Sequence, residues 1–168
     1  MAEATPDQLV IELARFMSRY AAALDRGDLE GWASLFAAEA SYRVGTLENE
    51  SGGLPMQLID DASKSKIEDR VLIVRKYWSG SFNEYVQRHI LSLPVVIGAQ
   101  EDAARMEQNF VVYVTDTNFG GSTGGRSSLL CVGRYLASFA GAGDRRRLRE
   151  MHAVLDTSLI TQSLVYPI

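Results

Sequence analysis

Cysteine is nearly absent from this chain of 168 residues: Cys131 stands alone, so no internal disulfide can form. One thiol also excludes an iron–sulfur cluster held by this chain by itself, because even the mixed histidine form takes two thiolates, and structural zinc usually takes four Cys/His ligands. Histidine is scarce as well, with only His89 and His152. A long apolar run is missing, which excludes a helical membrane span, and the opening residues MAEATPDQ lack the basic and apolar regions of a secretory signal, so a cytoplasmic location is expected. Excess positive charge is lacking too. The net charge of -4 argues against nucleic acid or an anionic membrane as the main partner.

What is present is ordinary for a soluble domain: 46% hydrophobic and 23% charged residues. The length suits one domain, residues 1–168, with a single core burying roughly two thirds of the surface of the unfolded chain. No internal repeat, low-complexity block or domain linker is visible.

Thr5-Pro6-Asp7-Gln8 combines an N-cap, a proline at the first helical position and Gln at the capping-box position, so a helix starts here. Leu9, Leu13, Phe16, Tyr20 and Leu24 then form one buried stripe. Gly27 stops the helix, and Asp28 caps a second, shorter one through Trp32, Leu35 and Phe36. Asp25 and Asp28 read as capping residues. SYRVGT (41–46) predicts a first strand with Tyr42 and Val44 on one face; Glu48 to Gly53 reads as a polar turn, and 54–59, with Pro55, as an edge segment.

Asp60 or Asp61 is expected to cap a third helix carrying Ile67, Val71, Val74 and Trp78, broken by Ser79-Gly80-Ser81. The next strand begins near Tyr85 and carries Arg88 and His89 side by side. Neighbours on a strand point to opposite faces, so one of this pair supports the core and the other an assembly. Two long strands follow, Ala104 to Thr115 and Ser127 to Phe139, joined by the glycine-rich loop Asn118 to Arg126. That loop lacks the Gly-Lys-Ser/Thr ending of a phosphate loop. Cys131 is expected to pack as a small apolar group. A last strand runs from Arg145 to Thr157, opening on Arg145, Arg146, Arg147 and Arg149. These cations read either as a solvated, blunted edge or as partners for carboxylates of another chain. The ending SLVYPI is apolar enough to predict docking. Helices first and an antiparallel meander second give an α+β architecture, a curved sheet wrapped on a helical layer.

The ordered set Tyr42-Arg43-Val44, Glu48-Asn49, Gly53-Leu54-Pro55, Asp69-Arg70, Arg88-His89-Ile90, Asp156 and Tyr166-Pro167-Ile168 resembles the small (beta) subunits of Rieske-type aromatic-ring-hydroxylating dioxygenases. Within them it is most similar to the small subunits of salicylate 5-hydroxylase and terephthalate dioxygenase. Many members of the wider family carry Ser-Asn after the histidine where this chain has Ser92-Leu93, a departure from the benzoate, naphthalene and biphenyl branches. The resemblance implies the cone-shaped fold of nuclear transport factor 2-like proteins. It also implies a three-plus-three hexamer with a large (alpha) subunit that carries the Rieske 2Fe-2S cluster and the mononuclear non-haem iron. This chain would then hold no cofactor and no catalytic residue. Its contributions would be structural or interfacial, through Arg70, Arg88, His89, Arg145, Arg147, Tyr166 and Ile168, in the catabolism of an aromatic carboxylate.

Two other readings compete. A stand-alone isomerase or dehydratase would use His89 or His152 as base, Tyr42 as hydrogen-bond donor and Asp60 or Asp156 as orienter. A non-enzymatic binding domain would use the cone's pocket or its apolar tail. An iron site within this chain would need both histidines and a carboxylate such as Asp116 or Asp156.

Overall fold

The structure, a computed structural model, describes residues 5–54, 56–78, 85–116, 125–160 and 164–168. The Ser79-Gly80-Ser81 break, Pro55 and most of the glycine-rich loop fall outside the described residues.

Helix α1 spans Pro6–Asp25, and its start is the expected reciprocal cap: Thr5 accepts from the Gln8 N–H while the Gln8 side chain accepts from the Thr5 N–H. Leu13, Phe16, Met17, Tyr20, Ala21 and Leu24 are buried along one stripe. The chain leaves the helix through Gly27 at φ 70, a left-handed conformation that glycine adopts without steric cost. Asp28 then caps α2 (Leu29–Ser34) by accepting from the Gly31 N–H.

Phe36 does not extend α2. It opens β1 (Phe36–Thr46), an irregular strand whose register shifts between Phe36 and Ser41. The stretch read as a polar turn forms a short helix, α3 (Leu47–Ser51), because Thr46 caps it at the Asn49 N–H. Strand β2 (Ile59–Asp61) pairs antiparallel with β1 and consumes both aspartates expected to cap the next helix. Ser63 caps α4 (Lys64–Ile73) instead. One wider, π-type turn follows at Val74–Trp78.

The rest is sheet: β3 (Tyr85–Leu91), β4 (Val95–Gln100), β5 (Ala103–Asp116), β6 (Arg126–Ala140) and β7 (Arg147–Leu155). The order is β2-β1-β7-β6-β5-β3, with β4 also pairing β5. Sequence reading had no separate β4, because Pro94 masked the resumption of pairing three residues after β3.

The larger correction concerns β7. Of the two readings of its arginine run, the solvated edge is overturned: β7 lies inside the sheet, antiparallel to β6 and parallel to β1. Arg145 belongs to a short 3-10 turn, Gly143–Arg145, and is exposed with Arg147, whereas Arg146 is buried and pairs with Glu12 of α1 at 2.7 Å. The sheet curls around α1, α2 and α4, and the enclosed core is aromatic. Trp32 packs edge-on against Tyr42 and Phe36, Tyr20 meets Trp32 and Tyr135, and Phe110 stacks on Tyr135.

Candidate functional site: the cone interior and the outer sheet face

Alternation along β3 turns Gln87, His89 and Leu91 toward the helices and leaves Val86, Arg88 and Ile90 outward. The His89 side chain is 0% exposed and that of Arg88 62%, so the pair divides as its geometry requires. Asp25, the last residue of α1, accepts from the His89 backbone N–H at 3.1 Å and lies 2.6 Å from His89 Nδ1. A proton on Nδ1 suits that contact and makes Nε2 an acceptor; Nε2 is buried with no hydrogen-bond partner among the described residues. Arg88 reaches back to the Asp25 carbonyl at 3.4 Å.

Deeper in the cone, Tyr42 on β1 and Tyr20 on α1 converge on Ile168. The Tyr20 hydroxyl donates to the Ile168 carbonyl at 2.7 Å and the Tyr42 hydroxyl to the same oxygen at 3.2 Å. The Ile168 N–H is 2.9 Å from Tyr42 Oη. Ile168 is 0% exposed, so the apolar tail docks as its composition required. Burial raises the phenols of Tyr20, Tyr42 and Tyr135 above their ordinary range, and pushes the Cys131 thiol up to about 12. None of the four is an available base at neutral pH. Above them, Arg70 of α4 forms a two-pronged pair with Asp61, one contact at 3.0 Å. A cleft of about 210 Å³ opens beside it, lined in part by Asp69, Ile73 and Val165. Tyr166 is half-buried in the same tail.

The other sequence candidates lie elsewhere. His152, on β7, faces away from the core beside Gly45 and sits 3.2 Å from Glu50 Oε1. Burial lowers its pKa, and the Glu50 carboxylate offsets this in part. Asp60 pairs with Arg43 on that outer side at 3.2 Å, and Asp156 is exposed just past β7. Tyr42 and His89 therefore share the interior, while His152 and Asp60 are on the opposite face of the sheet. The donor set does not fit an iron or a cluster: the two histidines are separated by the sheet, the lone thiol is buried, and no group of three metal-ligating side chains occurs among the described residues.

Sequence reading missed Asp25, Tyr20 and Tyr135 as site residues. Asp25 had a usable signal, since Met17, Ala21 and Asp25 recur at four-residue spacing and prolong the buried face of α1.

The outward side of β3, β5 and β6 carries an apolar cluster at one end, beside polar positions such as Glu107, Asn109 and Arg134. Val86, Ile90, Tyr113 and Leu129 are exposed there, with Arg88 opposite Tyr113 and Tyr113 opposite Leu129. Val86, Ile90, Tyr113 and Leu129 thus lie together on one sheet face rather than scattered over the surface.

A curved sheet closed on an N-terminal helical layer, with its polar interior groups on α1, β1 and β3, is the arrangement of nuclear transport factor 2-like proteins. The chain belongs to the SnoaL-like domain family, whose model matches residues 10–152. Within that class it is similar to the small subunit of anthranilate 1,2-dioxygenase of Burkholderia cepacia, 26% identical over 157 residues that cover 94% of this chain and 92% of that one. It is also similar to the beta 1 subunit of the terminal oxygenase component of terephthalate 1,2-dioxygenase of Comamonas sp, 26% identical over 159 residues, 94% of this chain and 97% of that one. A solved structure assigned as the beta subunit of an aromatic-ring-hydroxylating dioxygenase of Novosphingobium aromaticivorans superposes with a TM-score of 0.80 at 29% identity, covering 93% of this chain and 94% of the other. The resemblance drawn from Tyr42-Arg43-Val44 through Tyr166-Pro167-Ile168 is thus borne out along nearly the whole chain.

Proposed function

We propose that this chain is the small subunit of the terminal oxygenase of an aromatic-ring-hydroxylating system, with an architectural rather than a catalytic role. The observation that carries the reading is the division of its surfaces. The Tyr20 and Tyr42 hydroxyls and His89 Nδ1 are engaged by the chain's own Ile168 and Asp25, while an apolar cluster on the sheet is turned outward. Buried apolar surface drives association, at roughly 25 cal/mol per Å², so the outward face is where assembly gains free energy. The full-length similarity to small subunits points the same way.

In this reading the partner is a large subunit carrying the Rieske cluster and the mononuclear iron, joined three-plus-three with this chain in soluble, cytoplasmic hexamers. The small subunits hold neighbouring large subunits in register. The substrate class is an aromatic carboxylate, by analogy with the anthranilate and terephthalate dioxygenases to which the similar small subunits belong. Arg88, Arg145 and Arg147 stand on exposed surface as candidate contacts, and Arg70, His89, Tyr166 and Ile168 act through the fold of the subunit.

Co-expression with the large-chain reading frame tests this. That frame should encode Cys-x-His and Cys-x-x-His pairs, the copurified complex should contain iron and hydroxylate an aromatic acid, and the isolated small chain should do neither. Stoichiometric iron and ring hydroxylation by the isolated chain would overturn the proposal.

A further inference from the structure

Of the arginines that open β7, the chain itself engages two. Arg146 pairs with Glu12, and Arg147 donates to the carbonyls of Asp144 and Arg146. The side chains of Arg145 and Arg149 are exposed and make no ion pair or hydrogen bond among the described residues, and the same holds for Arg105 on β5. Acids are not in short supply, at 21 against 17 lysines and arginines. Guanidinium groups left over in one neighbourhood therefore mark a place rather than a shortage of partners.

Backbone irregularity on both flanks of β7 brings them together. On one flank Phe139 pairs with Leu148 and Ser138 with Glu150, so Arg149 is an extra residue with no partner on β6. On the other flank Phe36 pairs with Leu148 and Ser41 with Glu150, so residues 37–40 of β1 swing past the same arginine. Bulges re-aim a side chain and bend the strand that carries them. Here they open a groove of about 770 Å³ on the outward face, lined by Arg149 and Arg105 with Ala40, Ala104 and Ser138, whose short side chains let another backbone approach. A second groove of about 570 Å³ continues from it, because Glu39 and Arg149 line both, and Arg145 lines the second.

The lining is not uniformly basic. Glu39 runs through both grooves, Asp102 lines the second, and Glu150 in the first accepts from the Ser138 hydroxyl at 3.2 Å. An unbroken polyanion such as nucleic acid would meet these acids as well as the arginines, and the net charge of -4 opposes it too. Separate guanidinium forks match separate carboxylates, each bound by two parallel hydrogen bonds. Two open grooves joined through Arg149 suit an extended chain better than a compact anion.

We propose that this double groove receives an extended acidic segment of the large subunit, whose carboxylates pair with Arg105, Arg145 and Arg149. The inference rests on the architectural reading above and adds a second surface to it. Exposed ion pairs contribute little affinity one by one, whereas a complementary set fixes orientation and speeds encounter. The apolar cluster then supplies association free energy, and the groove sets how the two chains meet.

The test is the salt dependence of assembly in the co-expressed complex. Arg105→Ala combined with Arg149→Ala should raise the Kd, read by sedimentation on dilution, about tenfold at about 50 mM salt. Screening should shrink that difference several-fold at about 500 mM. Arg105→Lys with Arg149→Lys should recover part of the loss, since an ammonium keeps the charge but not the fork. Arg15→Ala removes an exposed cation from α1 and should leave the Kd unchanged. Because both groove arginines are exposed, the isolated double variant should keep its Tm within about 2 °C; if it falls further, Arg105→Ala alone, which lies outside the β7 bulge, carries the comparison. A folded variant that assembles as tightly as the unmodified chain, a loss that does not depend on salt, or an equal loss in Arg15→Ala overturns the groove and leaves the architectural reading standing. Failure of the unmodified chain to assemble with the large subunit overturns that reading, and the groove's partner with it.

Discussion

Asp25 binds His89 twice, accepting from the backbone N–H at 3.1 Å and contacting Nδ1 at 2.6 Å. One carboxylate thus fixes the end of α1 to β3, an outer strand of the sheet. Replacing it leaves a buried ring nitrogen and a backbone donor without partners, and each such group costs about 1–3 kcal/mol. Asp25→Ala should lose roughly 2–4 kcal/mol in urea denaturation, with Asp25→Asn losing less because its amide oxygen still accepts. A loss under about 0.5 kcal/mol would show that the contact contributes little.

Near the other end of α1, the half-buried Glu12 pairs with the buried Arg146 at 2.7 Å, and the Gly143 N–H also donates to the same carboxylate oxygen. The hydrogen bond from Arg146 holds the Glu12 carboxyl below its ordinary value of 4.5. A depressed acid contributes stability above its unfolded pKa and loses it as the pH falls through the folded one. The acid limb of a stability–pH curve should therefore steepen below 4.5 and flatten in Glu12→Gln. At neutral pH that variant should cost about 2–4 kcal/mol, because Arg146 is left buried without its anion.

His152 behaves in the opposite sense to a salt-bridged histidine. Burial lowers its pKa from 6.5, so the unfolded chain takes up a proton that the folded chain resists. Its contribution to stability falls as the pH drops from above 6.5 through the folded value. His152→Gln should remove that part of the decline, measured as the difference in urea midpoint between about pH 7.5 and about pH 5.5.

Gly133 of β6 sits where a Cβ would lie 2.2 Å from the Val154 carbonyl oxygen. The obstacle is backbone of β7, which cannot rotate away. Gly133→Ala should destabilise by about 3 kcal/mol, visible as a lower Tm or as insoluble expression. A neutral result would mean that β6 and β7 part more easily than their pairing implies.

Ile90→Asp and Leu129→Asp place charge on the outward sheet face without touching the core, since both side chains are exposed. The isolated chain should keep its stability within about 0.5 kcal/mol. Sedimentation of the co-expressed complex should show weakened assembly. Unchanged assembly would move the interface to another surface.

Much of this was legible in sequence because it is local. The Thr5–Gln8 cap, the Leu13-to-Leu24 stripe and the alternation from Met106 to Val114 are each decided within a few residues. What stayed hidden depends on distant pairing. Asp60 and Asp61 look like helix caps until β2 is seen to pair with β1. The arginines from 145 to 149 look like an edge until β1 is placed alongside β7. Asp25 reads as a capping residue because its true partner, His89, is 64 positions away. The interior phenols belonged to the core stripe by every local measure, and only the return of Ile168 shows what their hydroxyls are for.

The parallel pairing of β1 with β7 also governs how the chain comes to be made. β1 is synthesised well before its neighbour β7, and the Tyr42–Ile168 contact spans 126 positions. Such high contact order slows folding, and until β7 arrives one flank of β1 is an open template for other nascent strands. A protein joined this way completes its sheet only once β7 has been made, because β7 fills the place between β1 and β6.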